Sequence, residues 1–356
     1  MKNLISILSI LFLAGYSYAQ PCVQEELIKI PGEWKQGLKG SVDNVSSANL
    51  VKEKEVVQSI LKIFMEGYKP MGCIVKYAGV YGYNTAYGKN WISDPYSLSA
   101  FFLPYFCDHN LEKYHVGVST PTSLSVSVNQ FTPPPNTQFF AAELPDDEQG
   151  YWRISKLPEY KNGYYYLESI ADYNNEIITY FWMIGYSGKL PYKHVTQKEY
   201  LLETMAEYKG KIQEINDRVL ANKKRGDELT PEDIEFYDGQ REYYGKPIRL
   251  IEEMLNNKSV AELESPAVIY HPGDLQPFSS LVDLGTPYSF ILIKPNPEYF
   301  NKKLPKHAPQ LFSINLTIQI GHPVFEDIYE KVSTTVFSNV QKFKAMLGET
   351  YEPGKE

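Results

Sequence analysis

Hydrophobic and polar positions along the chain change period three times. From Ala48 to Glu66, apolar residues recur at Val57, Ile60, Leu61 and Phe64, the spacing of one helix face, with Ser47 placed as a cap and Gly67 as a stop. The period then shortens to two. Cys73 to Tyr83 reads as a strand, and Ser123-Leu124-Ser125-Val126-Ser127-Val128 alternates strictly, which predicts an antiparallel strand with its serines towards water. Tyr151–Ile154, Gly163–Leu167 and Ile177–Ile184 follow as strands, the last two joined through a turn at Asp172–Asn175. Ile177–Ile184 is apolar on both faces and is expected at the covered centre of a sheet.

A helical period returns after Thr196, which with Glu199 forms a capping box. Leu201, Met205, Tyr208, Ile212, Ile215 and Val219 then alternate steps of four and three, a heptad seam of coiled-coil type ending near Gly226. Thr230-Pro231-Glu232-Asp233 starts a second helix, whose Ile234, Tyr237, Tyr244, Ile248, Ile251 and Leu255 continue the spacing. Gly245 and Pro247 are expected to kink or split it. Two helices and a short polar loop make an antiparallel hairpin. Tyr200, Leu202, Tyr243 and Leu250 lie off the seam and need another surface, either the sheet or a second molecule.

Strands resume at Tyr288–Ile293 and Leu311–Ile318. A last helix then places Phe325, Ile328, Val332, Val336, Val340, Phe343 and Leu347 inside, with Gly348 closing it. The order predicts an α+β fold: a mostly antiparallel sheet flanked by N- and C-terminal helices, with an inserted antiparallel helical hairpin. The expected divisions are a signal at 1–19, an N-terminal helix and sheet region at 20–195, the hairpin at 196–258, strands and a helix completing the sheet at 259–348, and a polar tail at 349–356.

The first 19 residues carry the reading of compartment. Lys2, the apolar run Leu4–Gly15 and the small residues Ser17 and Ala19 make a cleavable export signal, with cutting expected after Ala19. Gln20 and Pro21 do not suit a lipidation site before Cys22. No later run reaches the roughly 20 apolar residues of a membrane span. The net charge of −8 lacks the basic footprint of nucleic-acid binding. Of three cysteines, Cys22 sits near a terminus, so the expected disulfide is Cys73–Cys107 with Cys22 free.

No motif fixes a reaction. The six histidines show no helical zinc spacing and no Cys-x-x-Cys occurs, so neither a metal nor a cofactor is expected. Cys107-Asp108-His109 is a poor nucleophile set, because adjacent residues seldom face one another. Gly185-Tyr186-Ser187-Gly188 misses the Gly-x-Ser-x-Gly elbow by one position. The acids Glu143, Asp146, Asp147 and Glu148 read as a solvated loop. The chain holds 29 tyrosines, and five rings on predicted strands, Trp152, Tyr164, Tyr166, Tyr180 and Trp182, are the candidate ligand-binding group, core packing being the competing explanation.

The signal ending Tyr-Ala-Gln, with the run from Gly188 to Leu201 (Gly-Lys-Leu-Pro-Tyr-Lys-His-Val-Thr-Gln-Lys-Glu-Tyr-Leu), resembles secreted proteins of the Bacteroidota that carry no assigned activity. The resemblance implies a Gram-negative host and a periplasmic or secreted site. The expected function is a non-enzymatic exported protein binding a ligand or a protein partner. The alternative is a secreted hydrolase whose site is assembled from distant residues.

Overall fold

The computed structural model describes residues 23–37, 40–82, 93–108, 113–131, 151–154, 156–170, 177–186, 189–226, 228–270, 281–325 and 327–348. The export signal, Cys22, His109, the turn at Asp172–Asn175, the acids at 143–148 and the polar tail lie outside the described residues.

The chain is α+β, as the periodicity predicts. Its large sheet runs in the order β1 (Trp34–Gln36), β3 (Cys73–Gly82), β4 (Tyr96–Asp108), β6 (Ser123–Val128), β14 (Leu311–Gln319), β10 (Ile177–Gly185), β9 (Tyr164–Ile170) and β8 (Glu159–Lys161). β2 (Val42–Asp43) joins β3 and β5 (Lys113–Val116) joins β4. Apart from β1 and β2, which run parallel to β3, the pairs are antiparallel. β10 lies between β14 and β9. Trp182 and Ile184 on one of its faces and Phe181 and Met183 on the other are all buried, which is why its sequence is apolar throughout.

One face of this sheet is covered by α2 (Ser47–Gly67), α6 (Ile328–Ser338) and α7 (Val340–Ala345). α2 is capped by Ser46 rather than Ser47, the hydroxyl accepting from Asn49 N–H at 3.2 Å. The single C-terminal helix expected from spacing is broken at Asn339, between α6 and α7. The apolar stripe survives the break, since Phe325 through Leu347 are all buried where predicted. The opposite face meets a second sheet in which β13 (Ser289–Pro295) pairs with β7 (Trp152–Ile154), β11 (Tyr192–His194) and β12 (Val268–Tyr270). Ile154, Val268, Ile291 and Ile293 of the small sheet pack on Leu167, Phe181, Met183 and Leu311 of the large one. Alternate residues of the small sheet point the other way. Leu292 and Ile269 there receive the foot of the helical hairpin. The order of layers is helices, large sheet, small sheet, hairpin foot.

The Cys73–Cys107 disulfide expected from the sequence is not formed. Cys73 is a free thiol buried beneath α2, with the Tyr68 hydroxyl at 3.9 Å from its sulfur. In the β3–β4 register Cys73 stands opposite Pro104, three residues short of Cys107. Cys107 also lies on the other face, in the cluster of Leu27, Ile74 and Tyr105. The two side chains therefore point to opposite faces of the sheet, where no bridge can join them without backbone movement. Cys107 is disulfide-bonded, and not to Cys73.

A buried polar cluster sits where α2 crosses the sheet. Glu53 is fully buried and neither carboxyl oxygen has a hydrogen-bond partner. Buried Asp94 accepts from Asn49 Nδ2 at 2.8 Å, and Asn49 Oδ1 lies 3.2 Å from His307 Nδ1. Asn129, held at φ 58°, ties the cluster down by donating to the carbonyls of Asp94 and Ala308 at 3.1 and 3.0 Å. Burial, with the neighbouring Asp94 charge second, pushes the Glu53 carboxyl up to about 7.

Two outcomes follow from these groups. In the unfolded chain Glu53 titrates near its ordinary 4.5, while in the fold it holds its proton to about 7. Stability is then unaffected by Glu53 below pH 4.5, falls by about 3 kcal/mol as pH rises from 4.5 to 7, and levels off above. Urea midpoints measured across this range should show the slope in the native protein and lose it in Glu53→Gln. Burial also pushes the Cys73 thiol up to about 11, so iodoacetamide at neutral pH should label it only after denaturation; rapid labelling of folded protein would contradict the assignment.

Candidate functional site

The hairpin consists of α3 (Gln197–Arg225) and α4 (Pro231–Asn257), followed by the short α5 (Val260–Leu263). Its attachment is unusual in register. β11 pairs Tyr192 to His194 with Pro295 to Ile293, and β12 pairs Val268 to Tyr270 with Ile291 to Ser289. The two are halves of one strand beside β13, interrupted opposite Leu292. The backbone closes the interruption: Val195 N–H donates to Leu292 O at 3.0 Å, Leu292 N–H to Ala267 O at 2.9 Å, and Ala267 N–H to Val195 O at 2.7 Å. Thr196 and Pro266 form a bridge, and Gln197 donates to Ser265 through both its backbone and its side chain at 2.9 Å.

The foot is fixed by packing and charge. Tyr200, Leu201, Tyr208, Ile248 and Ile251 bury against Val195, Ala267, Ile269 and Leu292. Thr196 caps α3 by accepting from Glu199 N–H at 3.1 Å. The Glu199 carboxylate is ion-paired with Lys294 of β13. Partial burial raises the Glu203 carboxyl and lowers the Arg153 guanidinium from their ordinary values. These interactions orient the first turns of α3 on the small sheet.

Beyond the foot the helices hold one another. Arg241 Nε donates to Asn216 Oδ1 at 2.9 Å, Asn222 Nδ2 meets the Tyr237 hydroxyl at 3.5 Å, and Lys209 pairs with Glu252 at 3.4 Å. Gly226, at φ 82°, closes α3, and Thr230 with Asp233 opens α4 through a complete capping box. At 1.5 Å per residue α3 is about 43 Å long. α4 runs through Pro247 as one helix, so of the expected kink or split the split does not occur. Pro247 is buried, so its ring contributes packing while its missing N–H removes one bond of the ladder.

α4 carries a second apolar line that the seam does not use. Phe236, Tyr243 and Leu250 recur at seven-residue intervals and are 60%, 51% and 47% exposed. Phe236 and Tyr243 flank a shallow depression of about 460 Å³ that also takes in Glu232, Glu235, Gly239 and Gln240. Within the chain each ring meets a neighbour edge-on, Phe236 with Tyr237 at 5.7 Å and Tyr243 with Tyr244 at 5.1 Å between centroids, and their outer surfaces stay open. The off-seam positions Tyr243 and Leu250 are legible in the sequence. Phe236 is missed there; Tyr237 meets Asn222 of α3 as its seam position predicts, whereas Ile234, placed on the seam by spacing, is 49% exposed. Tyr200, also off the seam, is buried in the foot.

The aromatic group expected to bind a ligand is divided. Tyr164, Tyr166, Tyr180 and Trp182 share one face of β9 and β10 through the Trp182–Tyr166 pair, whereas Trp152 lies in the small sheet opposite Ile293. The shared face is roofed by α6. Tyr329 stacks on Tyr180 with centroids 4.0 Å apart and on Trp182 at 6.4 Å, while Phe337 stacks on Tyr164 at 5.2 Å. The Tyr166 hydroxyl is 3.3 Å from both Tyr329 and Glu168. These four rings are therefore packed under α6, Tyr164 and Trp182 buried and Tyr166 and Tyr180 partly so. Among the described residues, no group of His, Cys, Asp or Glu is arranged to hold a metal ion, and no helix is long and apolar enough to cross a membrane.

No family model, curated protein or solved structure matches the chain.

Two deletions separate foot from tip. Replacing 216–241 by a short glycine-rich turn removes only the part held helix to helix, and the melting temperature of the remainder should stay within a few degrees. Removing 197–265 uncovers Leu292 and Ile269 and should destabilise by several kcal/mol, at roughly 1.5–3 kcal/mol per large side chain returned to water. Equal damage from both, read by circular dichroism melts, would show that the tip also supports the body.

Proposed function

We propose that the protein is an exported, non-enzymatic binding protein that captures a protein partner on the outer face of α4, in the periplasm or outside the cell. The observation that carries the reading is the pairing of two features in one element. The hairpin is inserted in a single strand with its ends clamped together, and it displays Phe236, Tyr243 and Leu250 outward. An insertion whose entry and exit coincide extends a surface without altering the body that carries it. Exposed aromatic anchors ringed by polar residues are the composition of a recognition patch.

The sealed state of the acidic cluster weighs against the hydrolase alternative. Glu53 and Asp94 are 0% and 4% exposed, which leaves a substrate no approach to the carboxylates as they stand. A photo-crosslinking residue placed at Tyr243 in the exporting host should give one discrete adduct, and the same residue at Asp217 on α3 should give none. Absence of an adduct at Tyr243, together with turnover on esterase, glycosidase or peptidase substrates, would overturn the binding reading in favour of hydrolysis.

A further inference from the structure

We propose that the occupant of the α4 stripe is a second copy of this chain, docked antiparallel with its two-fold axis at Gly239. This rests on the reading of the stripe as a binding surface and names what fills it.

The first support is symmetry of charge. Glu232 and Lys246 lie seven residues to either side of Gly239, while Phe236 precedes it by three and Tyr243 follows it by four. On an α-helix, seven residues are almost two turns, so Glu232, Gly239 and Lys246 fall on one line. A copy turned end for end about Gly239 sets Glu232 against the partner's Lys246 and Phe236 beside the partner's Tyr243. The two-fold axis repeats each contact, as an isologous interface requires. A parallel copy would oppose Glu232 to Glu232 and Lys246 to Lys246.

The second support is that these charges are unused within the chain. Among the described residues Glu232, Glu235 and Lys246 make no ion pair. The neighbouring charges are consumed internally, Arg241 with Asp238 at 2.6 Å and Arg249 with Glu242 at 2.8 Å. The third is Gly239 itself. A Cβ there would meet nothing within 4 Å, so no contact in its own chain calls for glycine, which weakens a helix interior. At a helix crossing the missing side chain admits the partner backbone and gives the flanking rings a notch.

Sedimentation velocity of the purified full-length mature chain across a wide concentration range tests this. A concentration-dependent dimer is expected. Glu232→Lys alone and Lys246→Glu alone should each weaken it about tenfold or more, by setting like charges together twice. The double variant should restore it with the polarity reversed. Gly239→Leu should leave a monomer whose melting temperature is equal or higher, which separates loss of docking from loss of folding. A wild-type chain that stays monomeric, or a dimer indifferent to the single reversals, overturns the proposal. If the monomeric chain still yields a crosslink to a different protein at Tyr243, only the identity of the occupant falls. If it yields no adduct at all, the binding surface falls with it.

Discussion

The backbone of Leu292 holds the molecule's two parts in register. Its carbonyl accepts from Val195 and its amide donates to Ala267, so one residue of β13 closes a strand that the sequence interrupts for more than seventy positions. Around that residue the side chains divide by parity. Ile291 and Ile293 enter the core between the sheets, and Leu292 enters the core beneath the hairpin. A slip of one residue would exchange these faces and expose both sets. The stacking of the small sheet and the seating of α3 therefore depend on one register.

A hairpin attached in this way behaves differently along its length. Its foot shares a core with the sheet and an ion pair with Lys294. Its tip has only the partner helix, and the seam there is partly polar, with Asn216, Asn222 and Arg241 forming its links. Polar seam contacts fix alignment at a cost in affinity between helices. What remains on the outside of α4 is a regular line of rings and unpaired charges that the chain does not satisfy itself.

The opposite end of the molecule shows the reverse economy. Tyr180, Trp182 and Tyr329 spend their faces on one another, and Cys73 is sealed under Tyr68 and Phe102. Glu53 is a carboxyl kept from water with no partner for either oxygen. Such a group is tolerated in neutral form, which is why its proton is held to about pH 7.

Local pattern alone carried much of this. Periods of 2 and 3.6 marked β6, α2 and both hairpin helices, and an unbroken apolar run marked β10, because burial on one face or two is written into consecutive residues. The caps at Thr196, Gly226 and Thr230 were legible for the same reason, each being a matter of a few adjacent positions. Tertiary structure decided what depends on distant pairing. Cys73 and Cys107 lie on opposite faces because the β3–β4 register sets them there. Four of the five rings of the predicted aromatic site, Tyr164, Tyr166, Tyr180 and Trp182, are packed under α6, more than 140 residues further on. The joining of β11 and β12 into one strand has no local signal, since neither half contains the hydrogen-bonding partner that aligns them. The outward stripe is intermediate: its spacing is in the sequence, but a seven-residue repeat is the same whether it faces a core or solvent, and only the placement of α3 determines which side of α4 remains open.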